Sequence, residues 1–283
     1  MNEVLFLKTC ILIGGMLTFT AVGAKINKEF ETKTEGYVTI FGFLGFMILV
    51  FYHRTEFPMN LFCLGMVSIF MGWALGPAIR GYGEAYMFRE YLEKFGIRSK
   101  TERIYKWYLN HDHPILKVYY YHEDNPEKKL ERNSPEILRM REEFKSELCE
   151  ETLNTMSQKW KNVVFVSMLS TALCLYLTAS FVWFSKVDYG FLKSVLVLFL
   201  TIFLIIRIQK IFYPNASIYF YPLKFISIFH VMLLLVYDFN RLEKLIAKGD
   251  ESWSTAVNIA LSLYMDIILI FMLFLERIAN ESW

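Results

Sequence analysis

Seven stretches of this chain are apolar over a length at or near that of a bilayer core, and this recurrence leaves few folds open to it. A membrane helix needs roughly 20 consecutive apolar residues. The windows between flanking charges are Val4 to Gly23 (interrupted by Lys8), Gly36 to His53, Phe57 to Ile79, Asn162 to Ser185, Ser194 to Ile206, Phe225 to Tyr237 running on through Asp238, and Ser252 to Leu275. The fifth and sixth are short or broken by charge and become spans once flanking residues extend them. A hydrophobic fraction of 55% and aromatics at 17% fit an integral membrane protein. The expected fold is an all-α bundle of seven transmembrane helices.

Between the third and fourth windows the pattern breaks: residues 80 to 161 hold 31 of the 58 charged side chains. The chain therefore divides into helices one to three (1–79), a charged water-facing insertion (80–161) and helices four to seven (162–283). Glu84 to Phe95 is helix-like and stops at Gly96, a residue suited to the left-handed closing turn. Two aromatic runs, Ile104 to Leu109 and Ile115 to Tyr121, predict a hairpin around Asn110 to Pro114. Ser134 as N-cap and Pro135 at the first helical position open an amphipathic helix, with Ile137, Met140, Phe144 and Leu148 on one face. The insertion thus reads as a soluble α/β unit. The apolar face of its last helix must pack on the insertion, on the membrane surface or on another protein.

A net charge of +2, with basic residues interleaved among acidic ones, argues against a nucleic-acid partner. Cys10, Cys63 and Cys174 lie in apolar windows and Cys149 on a charged helix, without CxxC spacing, so they read as packing residues. Val4 to Gly23 has no charged region before it and no clear cleavage site, and reads as a retained first span. Loop Lys and Arg are nearly balanced between the two sides and leave the topology open. Sequons at Asn215 and Asn280 sit so close to helix ends that chance occurrence is the preferred reading. With no glycine-rich phosphate loop, GxSxG elbow or HExxH, nothing points to an enzyme.

Asp238 and Asp266 are the residues that most demand a role. A lone carboxylate at the centre of a membrane helix costs roughly 2.5 to 3.5 kcal/mol on insertion scales, so it is paired, solvated or protonated. Two in contact in a low-dielectric site cannot easily both ionise, and they titrate as a unit. When both ionise, repulsion separates them and leaves hard oxygen ligands able to attract Ca²⁺. A turn near residues 247 to 252 would place Asp238 about 12 Å deep and Asp266 about 20 Å deep, a gap that tilt or a deeper turn must close. The bland reading is that each carboxyl is satisfied separately in a static bundle.

The last two windows read VYDFNRL (236–242) and ALSLYMDIILIFMLFLERI (260–278), and here the chain resembles the Bax inhibitor family of transmembrane proteins. The resemblance rests on Tyr237-Asp238 and on Ala260, Leu261, Leu263, Tyr264, Asp266 and Ile267, with Met71 to Pro77 similar to the family's small-residue segment ending in Gly-Pro. Gly72 and Gly76 allow close helix approach, and Pro77 is expected to bend or end its helix. The resemblance implies a seven-helix bundle with the last helix at its centre, in which Asp238 and Asp266 share a proton and couple pH to calcium passage. It also implies a latch for Arg54, which follows the second helix where the family often has a basic residue; a snorkelling interfacial arginine is the other reading.

The sequence departs from the family at Leu269, where asparagine is usual, in the lack of an acid between Tyr37 and Phe51, and in Lys210 near the fifth helix. These departures and the insertion favour a second reading. In it the chain is a non-transporting accessory subunit of a large membrane complex, with the mitochondrial inner membrane as its candidate location, docking through 80–161. On either reading the membrane is an intracellular one, the mitochondrial inner membrane or the endoplasmic reticulum. Lys8 and Arg207 read as interfacial, and His230 reads more readily as a packing histidine than as a proton relay. His111, His113 and His122 with Asp112, Glu123 and Asp124 could hold a metal, although a polar turn between strands looks the same and is preferred. No cofactor is expected; Ca²⁺ enters as the transported ion.

Overall fold

The computed structural model describes residues 4–27, 29–104, 115–131, 133–146, 150–185, 187–199 and 220–280. Its helices are α1 (Val4–Ile26), α2 (Lys33–Tyr52), α3 (Met59–Lys94), α4 (Pro135–Ser146), α5 (Glu150–Ser185), α6 (Phe220–Ala247) and α7 (Trp253–Asn280), with a further helical segment at 192–199. α1, α2, α3, α5 over Ser157–Ser185, and α7 over Trp253–Ala279 are long and apolar enough to cross a membrane. The fifth sequence window lies mostly outside the described residues. The sixth falls within α6, which packs against α5 and α7.

α7 is the most enclosed of the apolar helices. Half of its apolar window is buried, against 11 to 39% for the others, and it touches α1, α3, α5 and α6. One apolar cluster joins Leu5, Val231, Leu235, Leu242, Ile259 and Leu263 across α1, α6 and α7. A second joins Met16, Val50, Val67, Leu75, Leu261 and Ile268 across α1, α2, α3 and α7. Large apolar side chains elsewhere, among them Phe41 on α2 and Phe165 on α5, face outward where lipid would lie.

α3 and α5 run straight through the sequence boundaries at 79/80 and 161/162. Charge marks where a membrane helix enters water; it does not end the helix, because backbone hydrogen bonding continues in either solvent. Outside the membrane α3 ends at Lys94, and Gly96 at φ 67° makes the expected left-handed turn.

A three-stranded antiparallel sheet follows, β1 (Ile97–Ile104), β2 (Ile115–His122) and β3 (Asn125–Glu131), in the order β1-β2-β3. β1 starts seven residues before the expected aromatic run, pairing Ile97 with His122 and Ile104 with Ile115, so the expected turn lies outside the described residues. α4 forms where its N-cap predicts, with the Ser134 hydroxyl accepting from the Ile137 amide at 3.4 Å. Over the described residues its apolar face is covered by its own chain; Leu148 lies outside them. Ile137, Met140 and Phe144 pack with Phe88 and Leu92 of α3, Ile97 of β1 and Leu130 of β3.

Candidate functional site

The turn between α6 and α7 brings Asp238 and Asp266 together. Both side chains are buried, at 4% and 7% exposure, and each carboxyl lies within hydrogen-bonding reach of the other. The gap expected from helix rise closes for a directional reason. Asp238 stands nine residues before the end of α6, and Ser262 nine residues after the start of α7, so these two are level. The Ser262 hydroxyl donates to Asp238 Oδ2 at 2.5 Å. Asp266 is one turn deeper on the same face, roughly 6 Å further along. Side chains lean toward the N-terminus of their helix, so in this antiparallel pair Asp238 leans inward and Asp266 leans outward, each toward the other.

The two carboxyl groups have unequal surroundings. Asp238 has Ser262, and Arg241 on its own helix is the cation whose charge reaches it. Asp266 Oδ2 is buried with no hydrogen-bond partner. Buried polar atoms are nearly always paired, so an unpartnered carboxyl oxygen beside a second carboxyl marks a position that a proton or cation would satisfy.

Arg54 is not part of this site. Its side chain is exposed at the end of α2 and forms no ion pair among the described residues, while its carbonyl accepts from Asn60 Nδ2 at 3.2 Å. α2 packs against α3 and makes no comparable contact with α6, so Arg54 does not form the expected latch; the cation whose charge reaches Asp238 is Arg241, without an ion pair between them. Lys8, by contrast, has a definite task. Its ammonium donates to the Glu251 carbonyl at 2.6 Å and lies 4.9 Å from the Trp253 ring centre, tying the start of α1 to the α6–α7 turn. His230 is buried against Phe199, with ring centres 5.6 Å apart.

The small-residue segment of α3 packs on α1. A Cβ at Gly72 would lie 2.2 Å from the Thr20 carbonyl oxygen, and one at Gly76 1.8 Å from that of Asn27. Gly23 reciprocates from α1, its Cβ position 2.6 Å from the Ile69 carbonyl oxygen. Pro77 does not end α3, the first of the two expected outcomes; the helix runs on to Lys94. Proline cannot donate to the carbonyl four residues earlier, that of Trp73. Asn27 Nδ2 supplies the missing donor, at 3.0 Å.

Tyr264 has a structural place. Its fully buried hydroxyl meets Thr20 Oγ1 at 2.6 Å, and the Thr20 hydroxyl also faces the carbonyls of Met16 at 2.8 Å and Ser68 at 3.2 Å, so α1, α3 and α7 join at one point. Of the metal candidates, His122 pairs with Glu136 of α4 at 2.6 Å and Glu123 with Arg98; His111, Asp112 and His113 lie outside the described residues. Among the described residues no His, Cys, Asp and Glu group of metal-binding size is present. Arg207, Lys210, Asn215, Cys149 and the Asn280 side chain are likewise outside them.

Ser262, Arg241, Thr20 and Asn27 were not singled out by sequence reasoning. Ser262 alone left a signal: it is four residues before Asp266 and as far from the turn as Asp238.

Residues 152–283 match the family model described as inhibitor of apoptosis-promoting Bax1. No curated protein matches the chain.

Proposed function

From residues 152–283 carrying a Bax inhibitor family domain in an integral membrane protein, we propose that the chain is a seven-span, pH-sensitive cation pathway in which Asp238 and Asp266 hold one proton between them when closed. The observation that carries this reading is the contact of two buried carboxyl groups on antiparallel helices, one of them with an unpartnered oxygen. One shared proton satisfies that geometry. Loss of the proton leaves two like charges in a low-dielectric site, and separation of α6 from α7 with entry of Ca²⁺ relieves them. The switch is a two-state equilibrium biased by pH. The bilayer is its working partner, in the endoplasmic reticulum or the mitochondrial inner membrane, and no bond-making chemistry is assigned to it.

The accessory-subunit reading has less support. The apolar face of α4, the natural docking surface of the insertion, is already filled by Phe88, Leu92, Ile97 and Leu130. Docking would have to use the charged surface instead.

The deciding experiment reconstitutes the full chain in liposomes and measures calcium flux across pH for the parent, Asp238→Asn, Asp266→Asn and the double variant. The expected result is flux that varies with pH in the parent and loses that dependence in all three variants. No flux in the parent, or an unchanged pH profile in the double variant, would sink the proposal.

A further inference from the structure

The α6–α7 turn holds a second feature, which shares only Arg241 with the surroundings of the aspartate pair. A cavity of about 270 Å³ opens there, with Asn240, Arg241, Lys244 and Lys248 on one wall and Thr255 and Asn258 on the other. Spacing by three and four residues sets the three cations along one face of α6 and its end. Lys244 is engaged by Asp188, which the Gly190 amide and Asn240 Nδ2 also contact. Arg241 and Lys248 are exposed and form no side-chain hydrogen bond or ion pair among the described residues.

The described acids of the flanking loops form no ion pair with these two, the Glu251 side chain included. Asp188 is spent on Lys244, and Asp250 accepts from the Ser252 amide at 2.9 Å and the Thr255 hydroxyl at 2.8 Å. The positive end of the α7 dipole adds to the field from the opposite wall. Asn258 lines the opposite wall, its Oδ1 itself buried and without a partner among the described residues. Finally, with α6 and α7 spanning the bilayer as proposed above, the cavity lies at their end, at the level of lipid headgroups and their phosphates.

We propose that this cavity binds a phosphate-bearing anion, held by Arg241 and Lys248. Arginine matches two phosphate oxygens at once, and lysine adds a point charge. The phosphate can belong to a lipid headgroup or be free in solution. Binding does not depend on ion passage through the aspartate pair, and it is tested without measuring flux.

The full chain is purified in detergent and its thermal melting followed against inorganic phosphate, with chloride at equal ionic strength as reference, and against short-chain phosphatidylglycerol, with short-chain phosphatidylcholine as reference. Arg241→Gln and Lys248→Gln are compared with the parent, and Lys193→Gln, an exposed position off the cavity, serves as control. The expected result is stabilisation of the parent and control, with apparent affinity about tenfold weaker in each cavity variant, the loss that follows from removing one charged hydrogen bond. A response to inorganic phosphate assigns the site to the free anion. A response to phosphatidylglycerol alone assigns it to a headgroup. No stabilisation above either reference, or equal stabilisation in parent and cavity variants, overturns the proposal. Should Arg241→Gln not fold, Lys248→Glu, at an exposed turn position, carries the same comparison by charge reversal.

Discussion

Asn27 at the end of α1 donates its side-chain amide to the Trp73 carbonyl, the one carbonyl of α3 that Pro77 leaves without its helical donor. A proline would otherwise leave a polar atom bare where α1 and α3 press together. The bond therefore lets one helix carry both the proline and the close glycine contacts.

Replacing Asn27 with Ala should destabilise the protein by about 1 to 3 kcal/mol, because the part-buried Trp73 carbonyl loses the donor that stands in for the missing helical one. In a Pro77→Ala background the helix donates to Trp73 itself, and the same Asn27→Ala change should cost much less. Chemical denaturation of the four proteins of this cycle in detergent measures the coupling. Equal costs in both backgrounds would show that Asn27 acts by packing alone.

Glycines along α3 should respond oppositely to alanine according to what a Cβ meets. At Gly72 and Gly76 the new atom would strike backbone oxygen of α1, which cannot rotate away, so each change should cost about 1 to 3 kcal/mol or prevent folding. At Gly81 nothing lies within 4 Å, and alanine should stabilise by up to about 1 kcal/mol through helix propensity. Melting temperatures of the three variants check this. A neutral Gly76→Ala would contradict the α1–α3 contact.

Much of this architecture was legible beforehand, for identifiable reasons. Apolar length located α1, α2 and α7 because the bilayer imposes it, and charge inside an apolar window exposed Asp238 and Asp266. Asn27 was invisible, since it lies just past the first window and its meaning depends on a proline fifty residues later. β3 was missed because Asn-Pro-Glu-Lys-Lys-Leu-Glu has no strand pattern; it is a strand only because β2 offers an edge. Arg54 misled because sequence distance from the helix end could not tell that α2 packs on α3 and makes no comparable contact with α6.

Acid should loosen the loop that clamps onto α6. The Lys244 ammonium, with the Gly190 amide, holds the Asp188 carboxyl below the ordinary carboxylate value. A carboxyl whose pKa is lowered by folding contributes stability above its unfolded value, and loses it as pH falls through the folded one. Asp188→Asn should therefore melt below the parent at about pH 6, and the two should converge as pH drops below about 3.9. Asp250, also held low by its turn, is present in both proteins and cancels. A constant difference in melting temperature across this range would mean that shape, and not charge, secures the loop.

The Tyr264–Thr20 contact makes the most specific demand on the bundle, because the consequences of removing either partner differ. Thr20 can donate its single proton to only one acceptor; when that is the Met16 carbonyl, at 2.8 Å in its own helix, the Tyr264 hydroxyl is the donor between the helices, and the variants test this direction. Tyr264→Phe removes that donor and leaves Thr20 satisfied by Met16, for a loss of about 0.5 to 1.5 kcal/mol. Thr20→Val removes the acceptor and leaves a fully buried phenol leaning on Ser68 alone, so it should cost more, about 1 to 3 kcal/mol. Once the phenol is gone, Thr20→Val removes only a hydroxyl already satisfied within α1, so the double variant should lie close to Tyr264→Phe. Denaturation of these variants in one detergent gives the order directly. Additive losses, or a Tyr264→Phe cost above that of Thr20→Val, would mean that the hydroxyl does not link α1 to α7.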